Sequence, residues 1–161
     1  MDIMQGFVRN DLKLTFPPPE SPWTEGCPRP CKCKWVGGKR TADCSSAGLT
    51  SLPEFARPEQ IQVLHLSHNP IGSLEDKVFE RRGLINVQKA FLKNCSIAVV
   101  NATAFHRLYI LIELELSYNN LRTLEPGTFA GNERIRKLWL SHNPLRYKQR
   151  RHILADDDCL F

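Results

Sequence analysis

Four segments of this chain of 161 residues share one spacing of apolar residues, and a period of that kind constrains the fold more than composition does. They are IQVLHLSHNPIGSL from Ile61, VQKAFLKNCSIAVV from Val87, LIELELSYNNLRTL from Leu111 and IRKLWLSHNPLR from Ile135. Each follows L-x-x-L-x-L-x-x-N/C-x-L, with Asn69, Cys95, Asn119 and Asn143 at the ninth position, 26, 24 and 24 residues apart. Phe79, Phe105 and Phe129 keep the same beat independently, 26 and then 24 residues apart. A unit this short cannot bury its own apolar face, so successive units must stack.

The pattern predicts an α/β-type leucine-rich repeat solenoid, with short parallel strands on a concave face and an irregular or short helical convex side. Within each x-L-x-L-x core the leucines point inward and the alternate residues outward. The ninth-position asparagine sits where the chain leaves the strand. There its amide can satisfy backbone groups that would otherwise be buried without partners. Cys95 takes that place in one turn, and its small, weakly polar side chain suits a dry bend better than it suggests a reactive thiol.

The register also gives the outward residues, which are Val63, His65 and Ser67 in the first repeat and Lys89, Phe91 and Lys93 in the second. Glu113, Glu115 and Ser117, then Lys137, Trp139 and Ser141, follow in the third and fourth. Two large aromatics in this set are not needed by the core, and aromatics beside charges are what protein interfaces enrich. We therefore expect a partner-binding face at His65, Lys89, Phe91, Lys93, Glu113, Glu115, Lys137 and Trp139. The plainer reading is that the rings only shield neighbouring strands. Net charge is −1 over residues 1–80 and +6 over 81–161, so any electrostatic preference belongs to the later turns.

An open solenoid exposes its first core layer and needs a cap. CPRPCKCKWVGGKRTADC, from Cys27 to Cys44, precedes the repeats and runs into them through Leu49 and Leu52, which makes Ala42 to Ser45 a first, incomplete strand. Its cysteines, Cys27, Cys31, Cys33 and Cys44, allow three disulfide pairings. A four-thiolate zinc site is the competing chemistry, but its paired, even spacings are absent. Disulfides persist outside the cytosol, so the block points to an extracellular or luminal life. The expected organisation is a linker-like segment at 1–26, a cysteine-rich cap at 27–60, repeats at 61–146 and a charged tail at 147–161.

The cap resembles other leucine-rich repeat amino-terminal caps, and that resemblance implies the pairs Cys27–Cys33 and Cys31–Cys44. More narrowly, the hairpin from Trp35 to Lys39, the turn VQKAFLKNCSI and the following ELELSYNNL resemble the kekkon family of insect receptors. The likeness runs from about Cys27 to Arg146. It implies the recognition part of a single-pass cell-surface protein, in which an immunoglobulin domain follows the repeats and some members modulate growth-factor receptor signalling. The sequence departs from that plan. Met1 to Phe16 alternates apolar with charged residues and has no apolar core of a secretory signal. The tail YKQRRHILADDDCLF carries neither the repeat nor a second cysteine-rich cap, which leaves the last turn open and prone to fray.

Other chemistry is sparse. No nucleophile elbow, phosphate loop, dinucleotide fingerprint or zincin helix is present, so an enzyme is not expected. The net charge of +5 comes without a nucleic-acid recognition module. No stretch reaches the roughly 20 apolar residues of a membrane helix. His68 and His142 are equivalent positions three turns apart, roughly 14 Å at the strand spacing, too far to share a metal ion. No cofactor is expected. Asn94-Cys95-Ser96 and Asn101-Ala102-Thr103 are glycosylation sequons, with Asn101 the better placed. Pro19 and Pro22 form a P-x-x-P that reads as a linker. Cys159 lies third from the end, where prenylation needs a cysteine fourth from the end, so no prenyl anchor is expected. The expected role is protein recognition by a cell-surface or secreted protein, through an extracellular receptor or ligand or through self-association. The alternative is an intracellular or truncated repeat fragment, a scaffold with reduced cysteines.

Overall fold

The computed structural model describes residues 24–146, and within them each repeat makes one turn of a solenoid. The strands are β1 (Lys32–Val36), β2 (Lys39–Asp43), β3 (Val63–His65), β4 (Ser73–Leu74), β5 (Lys89–Phe91), β6 (Val99–Val100), β7 (Glu113–Glu115) and β8 (Lys137–Trp139). Six of them form one sheet in the order β1-β2-β3-β5-β7-β8, parallel from β2 onward, while β4 and β6 pair beside it. The convex side is irregular apart from one short helix, α1 (Val78–Arg81), and a 3-10 turn at Pro58–Gln60. This is the leucine-rich repeat solenoid that the spacing predicts.

The repeat chemistry explains the layers. Leu64, Leu66, Leu92, Leu114 and Leu116 are wholly buried, and Leu138 nearly so, because alternate strand residues share one face. Each such side chain stabilises the fold by about 1.5–3 kcal/mol relative to exposure. Ala90 stands between Leu64 and Leu114 in register, a smaller residue in the same dry column. Behind the strands Phe105 packs between Phe79 and Phe129, with ring centroids 5.6 and 5.5 Å away. Gly83 follows α1 at φ +68°, and a Cβ there would come within 2.7 Å of Pro58, so glycine fits both the backbone and the contact.

The bends are held by a ladder of asparagines. The Asn119 amide donates to Leu92 O and Leu116 O, both at 2.8 Å, and its Oδ1 accepts from Cys95 N and Ile97 N at 2.8 and 3.1 Å. Asn69 makes the same set to Cys44 O, Leu66 O, Ala47 N and Leu49 N. Asn143 reaches Leu116 O, Leu140 O and Leu121 N. Cys95 reproduces only the donor half, its thiol lying 3.2 Å from Leu66 O. With no carbonyl oxygen on that side chain, Ile71 N–H turns instead to Asn69 O at 2.8 Å. Burial pushes the Cys95 thiol pKa up, which keeps it protonated and inert.

The cap is a hairpin added to the end of the sheet. Gly37 and Gly38, at φ +55° and +74°, make the two-residue turn that joins β1 to β2 with a matching twist. Disulfides join Cys27 to Cys33 and Cys31 to Cys44, the pairs that the cap resemblance implies. The first strand starts earlier than expected, at Lys39 rather than Ala42, because antiparallel pairing with β1 orders the residues after the turn. Parallel bonding still runs on past β2, from Cys44 N to His65 O and from Ser46 N to Ser67 O. The P-x-x-P at Pro19 and Pro22, the charged tail and Cys159 lie outside the described residues.

Candidate protein-binding face

The parallel register stacks outward residues into columns. Thr41, Val63, Lys89, Glu113 and Lys137 form one; Asp43, His65, Phe91, Glu115 and Trp139 form the next. The cap adds to both, since Lys34 lies opposite Thr41 and Lys32 opposite Asp43. Directly opposed residues share a face, so β1 widens the concave surface by two lysines. The eight residues expected at the face all lie on or just past these strands.

At the centre, the His65 and Phe91 rings stack at 4.6 Å with an interplanar angle of 8°. Both are half-buried, as is Trp139 two strands further on. Glu113 lies between two lysines, 3.0 Å from Lys89 Nζ and 3.4 Å from Lys137 Nζ. Glu115 accepts from Ser117 N at 2.8 Å, and Asp43 accepts from Ser45 N at 3.1 Å. The carboxylates of this face are therefore engaged from within the chain. Burial pushes the His65 pKa below its ordinary value, with Lys34 adding to the effect and Asp43 opposing it. Some burial works against Asp43 ionising, but the Ser45 hydrogen bonds and the nearby His65 and Lys34 outweigh it, and its pKa falls.

Three outward positions, Thr41, Val63 and Ser117, are buried. Val63 lies between Thr41 and Lys89 in its column, and Lys39 reaches from β2 to Gln88 at 2.6 Å. Ser117 is buried where its hydroxyl accepts from Ser141 at 3.0 Å. Conversely, the expected set omits Asp43, Lys32 and Lys34, which lie outside the repeat pattern. It also omits a row at the eighth repeat position. Ser46, His68, Asn94, Tyr118 and His142 all have φ between +51° and +63°, a left-handed bend that lifts each side chain to the rim. There Tyr118 stacks on His142 at 4.0 Å, and Lys93 Nζ lies 4.8 Å over the same ring. The 24-residue spacing of Tyr118 and His142 was the available signal.

The sequons fall elsewhere. Asn94 is exposed on that rim, its amide 3.1 Å from His68 Nδ1. Asn101 is exposed on the far side, accepting from Thr103 N at 3.0 Å and Thr103 Oγ1 at 2.7 Å. It lines a shallow depression of about 330 Å³ with Val99, Val100 and Thr123. Neighbouring turns are tied there by charge. Asp76 accepts from Thr103 and pairs with Arg81 at 2.7 Å, while Glu80 meets His106 at 2.8 Å and Arg107 at 3.4 Å. The Thr103 hydroxyl holds Asp76, and the His106 hydrogen bond holds Glu80, below the usual carboxylate pKa. Among the described residues no helix is long and apolar enough to cross a membrane.

The leucine rich repeat family matches residues 85–145. Reticulon-4 receptor-like 2 of Rattus norvegicus is 33% identical over 141 residues, covering 86% of this chain and 31% of the relative. Leucine-rich repeat-containing G-protein coupled receptor 5A of Xenopus laevis is 32% identical over 124 residues, 74% of this chain and 10% of the relative. Leucine-rich repeat-containing protein 4B of Mus musculus is 41% identical over 70 residues, 43% of this chain and 9% of the relative. The chain thus spans less than a third of the length of each of these relatives. Repeat spacing, sheet and matches agree that the fold is a leucine-rich repeat solenoid, and residues 85–145 are similar to the leucine rich repeat family.

Proposed function

We propose that the chain is a non-enzymatic recognition module that binds a protein partner through its concave sheet, as part of a cell-surface or secreted protein. One observation carries the reading. The stacked His65 and Phe91 and the half-buried Trp139 stand on the outward column, where no core contact requires a large ring. Such rings, ringed by charge on a rigid sheet, are the usual anchors of protein interfaces. The oxidised cap supports an extracellular setting, and two of the relatives are receptors by name.

The finer reading is a kekkon-like ectodomain, with a cap at 27–60 and repeats at 61–146, modulating receptor signalling or cell adhesion. Its glycans stand at Asn101, on the far side, and at Asn94, on the rim next to Lys93. The test is a binding screen of the full chain against an array of extracellular domains, repeated with Phe91→Ala/Trp139→Ala. Loss of two anchors weakens binding about a hundredfold or more while the circular dichroism stays native. A partner that binds the folded double variant as tightly as the parent overturns the proposal.

A further inference from the structure

The concave face carries an uneven charge balance. Each of its carboxylates is engaged: Glu113 by Lys89 and Lys137, Glu115 and Asp43 by backbone N–H groups. Lys32, Lys34 and Lys93, in contrast, form no salt bridge among the described residues, and all three are exposed. These lysines lie in two directions from the ring stack, across the strands and along them. Lys32 and Lys34 lie on β1, three strands from Phe91, and Lys93 lies two residues beyond Phe91 along the chain. In distance that is roughly 14 Å across the strands and roughly 7 Å along the chain.

From this arrangement we infer that the partner presents an acidic protein segment, in which an apolar side chain covers the His65–Phe91 stack and flanking carboxylates meet Lys93 along the strands and the cap lysines across them. The inference rests on the concave face being the binding surface. A uniform polyanion such as a sulfated polysaccharide or a nucleic acid fits worse, because Asp43, Glu113 and Glu115 repel it along the same columns. Those buttressed carboxylates and the rings between the lysines suit a ligand of alternating character.

The test is selection of displayed random peptides on the full chain, counter-selected on the Phe91→Ala/Trp139→Ala variant. The expected winners have a net negative charge and an aliphatic or aromatic residue between acidic ones. Their affinity falls about tenfold with Lys34→Glu and again with Lys93→Glu, and falls with added salt. Both lysines are exposed, so native circular dichroism of these variants is the accompanying check. Winners that are neutral or basic, or that ignore the two reversals while losing affinity with the double alanine variant, overturn the acidic partner and leave the face standing. No winner that distinguishes the parent from the double alanine variant overturns both. Tight binding of heparin that survives the loss of Phe91 and Trp139 overturns the protein segment in favour of a polyanion.

Discussion

A single side-chain amide at each bend secures backbone groups from two turns at once. Asn119 is 4% exposed and satisfies Leu92 O, Leu116 O, Cys95 N and Ile97 N together. Asn119→Ala leaves these groups unpaired, and each costs about 1–3 kcal/mol when no water replaces the partner. We expect a loss of about 4 kcal/mol or more in urea unfolding of the full chain; a loss under about 1 kcal/mol would show that water enters the bend freely. Cys95→Ser, which keeps a donor toward Leu66 O, is expected to cost far less. His65 offers a pH test. Its folded pKa lies below the ordinary 6.5, so the unfolded chain binds the proton more readily. Stability is full above that ordinary value and falls as pH drops through it toward the folded pKa. Asp43, also lowered, adds a further loss only below its ordinary 3.8. The urea midpoint of the parent should therefore decline between neutral and mildly acid pH, and His65→Gln should remove part of that decline. Identical profiles for parent and variant would contradict the burial of His65 as the cause.

The elements show how far a repeat pattern carries. Apolar residues at two alternating positions marked the strand of each repeat, and their register located Phe91 and Trp139 in one column because parallel pairing is fixed by which face must be dry. The beat of Phe79, Phe105 and Phe129 likewise became a packed row of rings. That row predicts an order of costs. Phe105→Ala removes a ring 1% exposed with a neighbour on each side, a loss of about 3–5 kcal/mol. Phe129→Ala, at a half-buried ring, should cost clearly less. Equal losses in thermal or urea unfolding would mean that the row does not stack in solution. What the pattern did not reach lay outside it. Residues 39–43 read KRTAD, with no leucine pair, so Asp43 came to the face through the pairing of β2 with β3 and the cap lysines through the hairpin. The burial of Val63 depends on its neighbours in the column, Thr41 and Lys89, which no periodicity encodes. The rim row of Tyr118 and His142 is set by a left-handed backbone bend in residues that are not glycine.

At the scale of the whole molecule, every strand of the large sheet pairs only with the turn before and the turn after. Stability in such a stack is close to a sum of turn and neighbour terms, so damage at one end need not reach the other. The Cys31–Cys44 bridge, spanning 13 residues, fastens the first described layer, since Cys44 follows β2 and is itself buried against the core. Cross-links of that span stabilise by about 3 kcal/mol through the unfolded chain. Replacing both cysteines by alanine should therefore open the hairpin before the repeats. In hydrogen exchange, the amides of β1 and β2 lose protection first, β3 partly, and those of β5 and β7 keep most of theirs. The gradient is the informative result, because it follows only if coupling between turns is local. A uniform loss of protection from β2 to β7 would make the solenoid one cooperative unit, with the cap as its keystone and the concave face dependent on the cap's oxidation.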